Sequence, residues 1–272
     1  MRRTVALLRV MAESPRDLGV SDLSKKLGIA GATAFRILHT LRLEGLVIQD
    51  SDTKRYRLGA DLAALGHAAA ERFDVRYEAL PTMERLSSES GMSSYLNIAG
   101  SSEVVCIEHV ASLGKIDLYG RVGRTMPFHA CPSGYVLLAF GSPDLLTKVI
   151  GAPLRKFGKN SVVDPAAILG IIEGVREQGY AYGDSDLEDG VTSVSAPIRD
   201  HTGNVVAAIG LAGFTVMFDG HEQKLIKALL DAAREISTQC VANKVNVHSI
   251  PGANDLQKAL MKKREASHLS PH

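Results

Sequence analysis

Two stretches of the chain gather residue types that can do chemistry. In the first, His129 and Cys131 stand two apart with Ser133 just beyond. On a strand that spacing would turn imidazole and thiol to one side, and a base beside a thiol can generate the nucleophilic thiolate of a thiol-dependent hydrolase. On a loop the same spacing fixes no geometry, and packing or capping is then the ordinary role of both residues. In the second, Asp184, Asp186, Glu188 and Asp189 crowd four carboxylates into one segment. They could attract a cation, but they lack the ligand spacing of an EF-hand, and a solvated acidic loop is the expectation. Neither a phosphate-binding Gly-rich loop nor a dinucleotide fingerprint occurs between a strand and a helix. No catalytic residue, metal or cofactor is therefore expected.

A different pattern lies near the N-terminus. Thr33, Arg36 and Thr40 recur at helical spacing, and Lys54, Arg55 and Arg57 follow shortly after. Guanidinium and hydroxyl groups on one helix face can contact base edges and phosphates, and a basic strand can lie along a phosphate backbone. Charge agrees with this. Residues 1–60 carry eleven Lys/Arg against six Asp/Glu, whereas the remainder carries 20 against 24, within a net charge of only +1. A basic head on an acidic body fits a polyanionic partner for the head alone.

The elements that would hold these residues can be read from periodicity. Val5, Leu8, Met11 and Ala12 mark one face of a helix over 4–13, ended by Ser14-Pro15. Ser21 is the expected N-cap of a short second helix containing Leu23 and Leu27. Gly28 makes the turn, and a third helix runs over 30–44 with Ala34, Ile37, Leu38 and Leu41 inward and Gly45 after its end. Helix, Gly turn and second amphipathic helix form the helix-turn-helix arrangement. Leu46-Val47-Ile48, the turn Asp50–Thr53 and Lys54–Leu58 read as a β-wing, with Arg55 and Arg57 on one face and Tyr56 and Leu58 on the other.

Beyond Ala60, a stripe of Leu62, Leu65, Ala69 and Phe73 suggests a linker helix packed on a partner copy, with Pro81 interrupting it or opening the next helix, which ends at Gly91. Strands are expected over 94–98, 104–109, 192–199 and 204–213. Ser142-Pro143 and Asp164-Pro165 announce helices, Gly179 closes the second, and Asp219 with Glu222 resembles a capping box for a last long helix. The resulting fold class is α+β: residues 1–59 a winged helix-turn-helix, 60–80 a linker, 81–243 a sensor-like domain, and 244–272 a polar tail expected to be disordered.

At 272 residues, with 45% hydrophobic and 22% charged residues, the chain can bury a core in two unequal domains. No apolar run reaches the roughly 18 residues of a membrane span and no signal-peptide core is evident near Met1. The cysteines, Cys106, Cys131 and Cys240, form neither a disulfide framework nor a zinc spacing, which points to a cytoplasmic protein.

The runs LGIAGATAFRILHTLRLEGLV and TKRYRLG, then PFHACPSGYVLLAF and GYAYGDSDLEDGVTSVSAPIRDHTGNVVAAIGLAG, occur in the order and spacing of the IclR family of transcriptional regulators, which the chain resembles over nearly its whole length. The resemblance implies a winged helix-turn-helix, a dimerising linker helix and a GAF-like effector-binding domain. It also implies a homodimer or tetramer on a palindromic DNA operator, acting as repressor or activator of catabolic genes in response to small metabolites, often carboxylic or aromatic acids. Matched residue by residue, the effector contacts fall on Pro132, Ser133, Gly183, Val191, Ser193, Gly210 and Ala212.

Two departures stand out. The recognition helix opens Ala30-Gly31-Ala32-Thr33 where the family pattern has a Pro-Lys-Ser-Thr-like sequence, and Phe35 replaces a common His, so two polar DNA contacts are missing. Relatives that bind small keto acids carry Asp at the Gly183 position and Ser at Gly210 and Ala212, so a roomier, less polar pocket for a larger or more aromatic acid is expected. Independently of the family, the N-terminus of the helix beginning at Pro132 offers unpaired N–H groups and a dipole that favour a carboxylate. The competing readings are a sensing or interaction module without specific DNA binding, and a hydrolase using Cys131 and His129.

Overall fold

The computed structural model describes residues 1–70, 75–112 and 122–243, with the side chains of 67–70 excepted. The tail beyond 243 and part of the linker lie outside them. Contacts divide the chain at Arg72 into two compact units.

In the N-terminal unit, α1 (Arg2–Glu13), α2 (Val20–Leu27) and α3 (Gly31–Leu43) precede the short strands β1 (Val47–Gln49) and β2 (Tyr56–Leu58). Leu7, Met11, Leu18, Leu23, Leu38, Leu41, Val47 and Tyr56 close one apolar core. The inward face of α1 is Leu7 with Met11, one turn apart; Val5 and Ala12, expected inside, are exposed. The N-cap of α2 is Gly19 rather than Ser21, because the Asp22 carboxylate reaches back to accept the Gly19 N–H at 3.0 Å. Gly28 follows α2 at φ 61°, a left-handed turn that glycine adopts without strain. The hairpin pairs Val47 with Leu58 and Gln49 with Tyr56, so its second strand begins at Tyr56 and the connection runs longer than the sequence suggests. Tyr56 also bridges to Leu18, which ties the wing to the segment before α2. In the turn, Asp50 accepts from the N–H groups of Asp52 and Thr53 and the Thr53 hydroxyl, and these bonds hold its carboxyl below the usual range. Helix α4 (Ala60–Ala70) follows, with Leu65 exposed.

The second unit begins with α5 (Val75–Ser90), which carries Pro81 within it rather than at a break. Its first turns bury Val75 and Ala79 in the core of this unit, although residues 75–80 read as linker in the sequence. The antiparallel strands are β3 (Ser93–Ala99), β4 (Val104–Val110), β5 (Thr125–Met126), β6 (Ala181–Asp184), β7 (Val191–Arg199) and β8 (Val205–Phe214). They form one sheet ordered β5-β4-β3-β8-β7-β6. Between β5 and β6 lie α6 (Pro132–Phe140), α7 (Pro143–Ile150) and α8 (Pro165–Gln178), and α9 (Glu222–Ala242) ends the described chain.

Side-chain alternation along the strands separates two layers. Leu96, Ile98, Val194, Ala196, Ile209 and Leu211 form one core with α5 and α9. A second core joins Phe128, Tyr135, Val136, Leu138, Ile168 and Ile172 from α6, α8 and the turn before α6. Ser142 and Asp164 cap α7 and α8 through their side chains, and Gly179 closes α8 at φ 82°. Asp219 does not cap α9: that helix starts three residues later, capped by His221 without a side-chain bond, and Glu222 turns back to accept the Gly220 N–H.

Candidate DNA-binding and effector sites

On α3 the inward residues are Ala34, Leu38 and Leu41, which leaves Arg36 and Thr40 exposed and Thr33 partly so. These three border one shallow groove with Thr4, Ile37 and Leu41. The Thr40 hydroxyl donates to the Arg36 carbonyl at 3.1 Å, so it is partly spent within the helix. Phe35 and His39 stand in ring contact on the same exposed side. Gly31 and Ala32 add no polar group to this surface.

The wing arginines are not free. Arg55 Nη1 donates to the Asp17 carbonyl at 2.8 Å and lies 3.4 Å from the Asp22 carboxylate, while Arg57 lies 3.6 Å from the Asp17 carboxylate. Exposed pairs of this kind contribute only about 0–1 kcal/mol, so a phosphate can take either guanidinium. Lys54 sits in the turn at φ 57° and is exposed.

In the second unit the structure brings Pro132, Ser133, Gly183, Val191, Ser193, Gly210 and Ala212 onto the wall of a single cavity, enclosing about 550 Å³ of empty space that is partly open to solvent. The floor is the N-terminal turn of α6, where Cys131 is the N-cap. Gly134 and Tyr135 turn their N–H groups back to the Cys131 carbonyl and Pro132 has none, so the Ser133 N–H is what the helix end offers. This is fewer free donors than the sequence implies.

The wall also holds Asn97, Arg124, Asp186 and Ser195, which the sequence did not mark. Ser195 follows Ser193 by two on one strand and could have been found by alternation; Asn97 is the polar residue of an otherwise largely apolar strand end. Nothing local flags Arg124, and Asp186 stands out only as one of the carboxylates of its segment, not as a cavity residue. Together these four residues add two charged and two further polar side chains to the wall. A Cβ at Gly183 would overlap the Asp186 carboxylate and come within 3.0 Å of Pro132, and one at Gly210 would lie 2.7 Å from the Ser195 hydroxyl. The glycines are vacant because neighbouring polar groups fill their space. Burial, and secondarily the charge of Asp184, push the Asp186 carboxyl up to about 6. Arg124 donates to Glu188 at 2.7 Å on the cavity's rim.

The thiol-hydrolase geometry does not form. Burial pushes the Cys131 thiol up to about 12 and its Sγ faces the Pro127 carbonyl, while His129 Nε2 meets the Arg155 carbonyl at 2.9 Å. Nor do the acidic residues converge on a cation. Asp184 Oδ1 accepts from the hydroxyls of Ser185, Thr192 and Thr215, Asp189 accepts the Lys159 N–H, and Glu188 pairs with Arg124. Among the described residues no cluster of His, Cys, Asp and Glu could hold a metal, and no helix is long and apolar enough to cross a membrane.

Residues 67–238 match the model of the bacterial transcriptional regulator IclR C-terminal domain, and residues 1–51 match the IclR helix-turn-helix domain. The chain is 31% identical to the HTH-type transcriptional regulator XynR of Escherichia coli K12 over 82% of this chain and 88% of that protein. It is 32% identical to the glycerol operon regulatory protein of Streptomyces coelicolor, over 87% and 94% respectively. An IclR homologue from Microbacterium hydrocarbonoxydans, solved with 4-hydroxybenzoate, superposes with a TM-score of 0.75 at 26% identity, covering 88% of this chain and 98% of that one. An IclR regulator from Alicyclobacillus acidocaldarius superposes at 0.74 with 24% identity, covering 87% and 96%. With a helix-turn-helix domain and an IclR C-terminal domain matched in order along its length, this chain belongs to the IclR family of DNA-binding transcriptional regulators.

Proposed function

We propose that the protein represses or activates metabolic genes in response to an organic acid larger than the smallest keto acids, aromatic acids included, bound in the cavity above α6. The observation that carries this reading is the cavity itself, whose wall includes both Arg124 and, in the N-terminal turn of α6, Ser133. A cation and a helix N-terminus together favour a carboxylate. The relative that holds 4-hydroxybenzoate supports an aromatic acid. Calorimetric titration is the test: tight binding of glyoxylate or pyruvate, with none of larger acids, overturns it.

For DNA, the reading assigns base and phosphate contacts to Thr33, Arg36 and Thr40 and phosphate contacts to Lys54, Arg55 and Arg57, on a palindromic operator read by a homodimer or tetramer. The exposed Leu65 on α4 supports pairing of copies through the linker. A mobility-shift titration on DNA flanking the protein's own gene is expected to give a discrete, competitor-resistant complex. Its affinity should fall steeply between low and moderate salt as counterions are released; binding that ignores salt would sink the phosphate assignments. Ligand shifts this affinity only through its differential binding to two arrangements of the heads, typically about 1–3 kcal/mol. No catalytic role is assigned to any residue.

Asp186 makes both stability and acid binding depend on pH. Its folded carboxyl titrates near 6 against an ordinary 3.8, so the folded state favours the neutral form. The Asp186 contribution to stability is therefore fully present below about pH 4, declines as pH rises to about 6, and is level above that. Asp186→Asn is expected to stabilise the protein at pH 7.5 by about 1–2 kcal/mol, after allowance for partial exposure, and to give no advantage at pH 4. Affinity for an ionised acid should rise several-fold as pH falls from 7 to 5.5, and the variant should flatten that slope. Parallel melting curves and titrations of the two proteins check both statements.

A further inference from the structure

We infer that the effector carries an ammonium group beside its carboxylate, and that this cation pairs with Asp186. The inference deepens the acid-sensing assignment and rests on it. Asp186 is partly buried and lines the cavity, where one of its carboxylate oxygens fills the space in which a side chain at Gly183 would begin. Its main chain is held from both sides. Ser185, just before it, stands at φ 57° with its N–H donating to the Val191 carbonyl at 2.8 Å. The Asp186 carbonyl accepts from the Gly158 N–H at 3.0 Å and from the Ser161 hydroxyl. The carboxylate is left over: among the described residues no hydrogen bond or ion pair reaches it.

Arg124 and Asp186 are the charged residues of the wall, and Arg124 is already matched by Glu188 at 2.7 Å. Asp186 is therefore the uncompensated charge. A plain acid sets a second anion in the same cavity, whereas an ammonium group gives the carboxylate charge-assisted hydrogen bonds. Both oxygens of an ionised carboxylate only accept, so this demand does not depend on how the side chain is turned. The acid group of the same ligand is left to Arg124 and the start of α6, which makes the molecule an amino acid or a longer amino-carboxylic zwitterion. Because the deaminated analogue leaves Asp186 unpaired, preferences of about 10- to 100-fold are expected. Acidity adds a second signature. Near Asp186 stand Asp184 on its own segment, Cys131 and Tyr135 at the start of α6, and the paired Arg124 and Glu188. Hydrogen bonds hold Asp184 below the usual range and burial lifts Cys131 and Tyr135 far above neutrality, while Asp186 titrates near 6. Pairing needs Asp186 ionised, so affinity for a zwitterion should fall about tenfold from pH 7.5 to pH 5, opposite in direction to that of a plain acid.

The test compares matched ligands on the full chain by calorimetry: phenylalanine against 3-phenylpropanoate, leucine against 4-methylpentanoate, and 4-(aminomethyl)benzoate against 4-methylbenzoate. At pH 7.5 at least one amine form should bind about tenfold or more tighter than its partner. Asp186→Asn should weaken that form and tighten the plain acid, a crossed change that a merely structural role would not produce. Plain acids that bind as well as or better than every amine form overturn the inference but leave the acid sensor standing. A preference that survives in Asp186→Asn, or an affinity for the amine form that does not fall toward pH 5, overturns the assignment to Asp186. Absence of binding by all the ligands overturns the acid-sensing reading itself, and this inference with it. The wild-type pairs decide the amine question even if Asp186→Asn fails to fold.

Discussion

Arg36→Ala is expected to weaken operator binding by about 1–3 kcal/mol, roughly 5- to 150-fold, and to relax sequence preference at the base it meets. Arg36 projects from the exposed side of α3 and makes no ion pair among the described residues. It is also the charged member of a surface from which Gly31 and Ala32 withhold any polar contact, so few neighbours can compensate. Thr40→Ala should cost less, since the Thr40 hydroxyl is already engaged by the Arg36 carbonyl. Arg57→Ala should behave differently again, weakening binding to all sequences alike and lowering the salt slope by about one. Competition binding against operator and random DNA at several salt concentrations separates these patterns. Equal loss on specific and random DNA for Arg36→Ala would remove it from base recognition.

The second large effect is expected in the sensor domain. Gly134→Ala should destabilise that unit by about 2–4 kcal/mol, because a Cβ there would overlap the backbone carbonyl of Phe128. The overlap is with main chain, and the surrounding turn is tightly held: Phe128 is fully buried and the Tyr135 hydroxyl donates to the His129 carbonyl at 2.7 Å. Relief would require α6 to lift from the turn beneath it, which would also disturb the cavity floor. Alanine at Gly170 or Gly174 in α8, where an added Cβ meets nothing within 4 Å, should instead stabilise by about 0.5–1 kcal/mol. Urea unfolding followed through the sensor domain measures all three. A Gly134→Ala loss below about 0.5 kcal/mol would mean the contact is not as close as the geometry requires.

What the sequence revealed followed the range of the interactions involved. Ser142, Asp164 and Gly179 act on backbone within three or four residues of themselves, and each was legible as a helix boundary. Ser21 and Asp219 carry the same chemistry but lose to alternatives: the Asp22 carboxylate already serves the Gly19 N–H, and a tight turn over 215–221 precedes α9. The inward face of α1 is ambiguous in the sequence because Val5, Leu7, Leu8, Val10 and Met11 allow two adjacent registers, and tertiary packing selects Leu7 with Met11. In the cavity, the seven lining positions marked in advance sit at α6 and along β6, β7 and β8, where motif and strand alternation locate them. Asn97 and Arg124 arrive through the sheet order, which places β3 beside β8 although more than a hundred residues separate them. Asp186 was obscured by its surroundings, because four acidic residues in one segment have four separate local partners or places.

Strand β3 has a consequence for how such a regulator diversifies. Leu96 and Ile98 are embedded with α5 and α9, whereas Tyr95 and Asn97 border the cavity. Adjacent residues in one strand thus serve different ends, one pair packing the core and the other forming the cavity wall. Substitutions at 95 and 97 are expected to reshape the cavity wall while leaving the packed layer at 96 and 98 in place. The pleat acts as a partition between inheritance of the scaffold and drift of its chemical vocabulary.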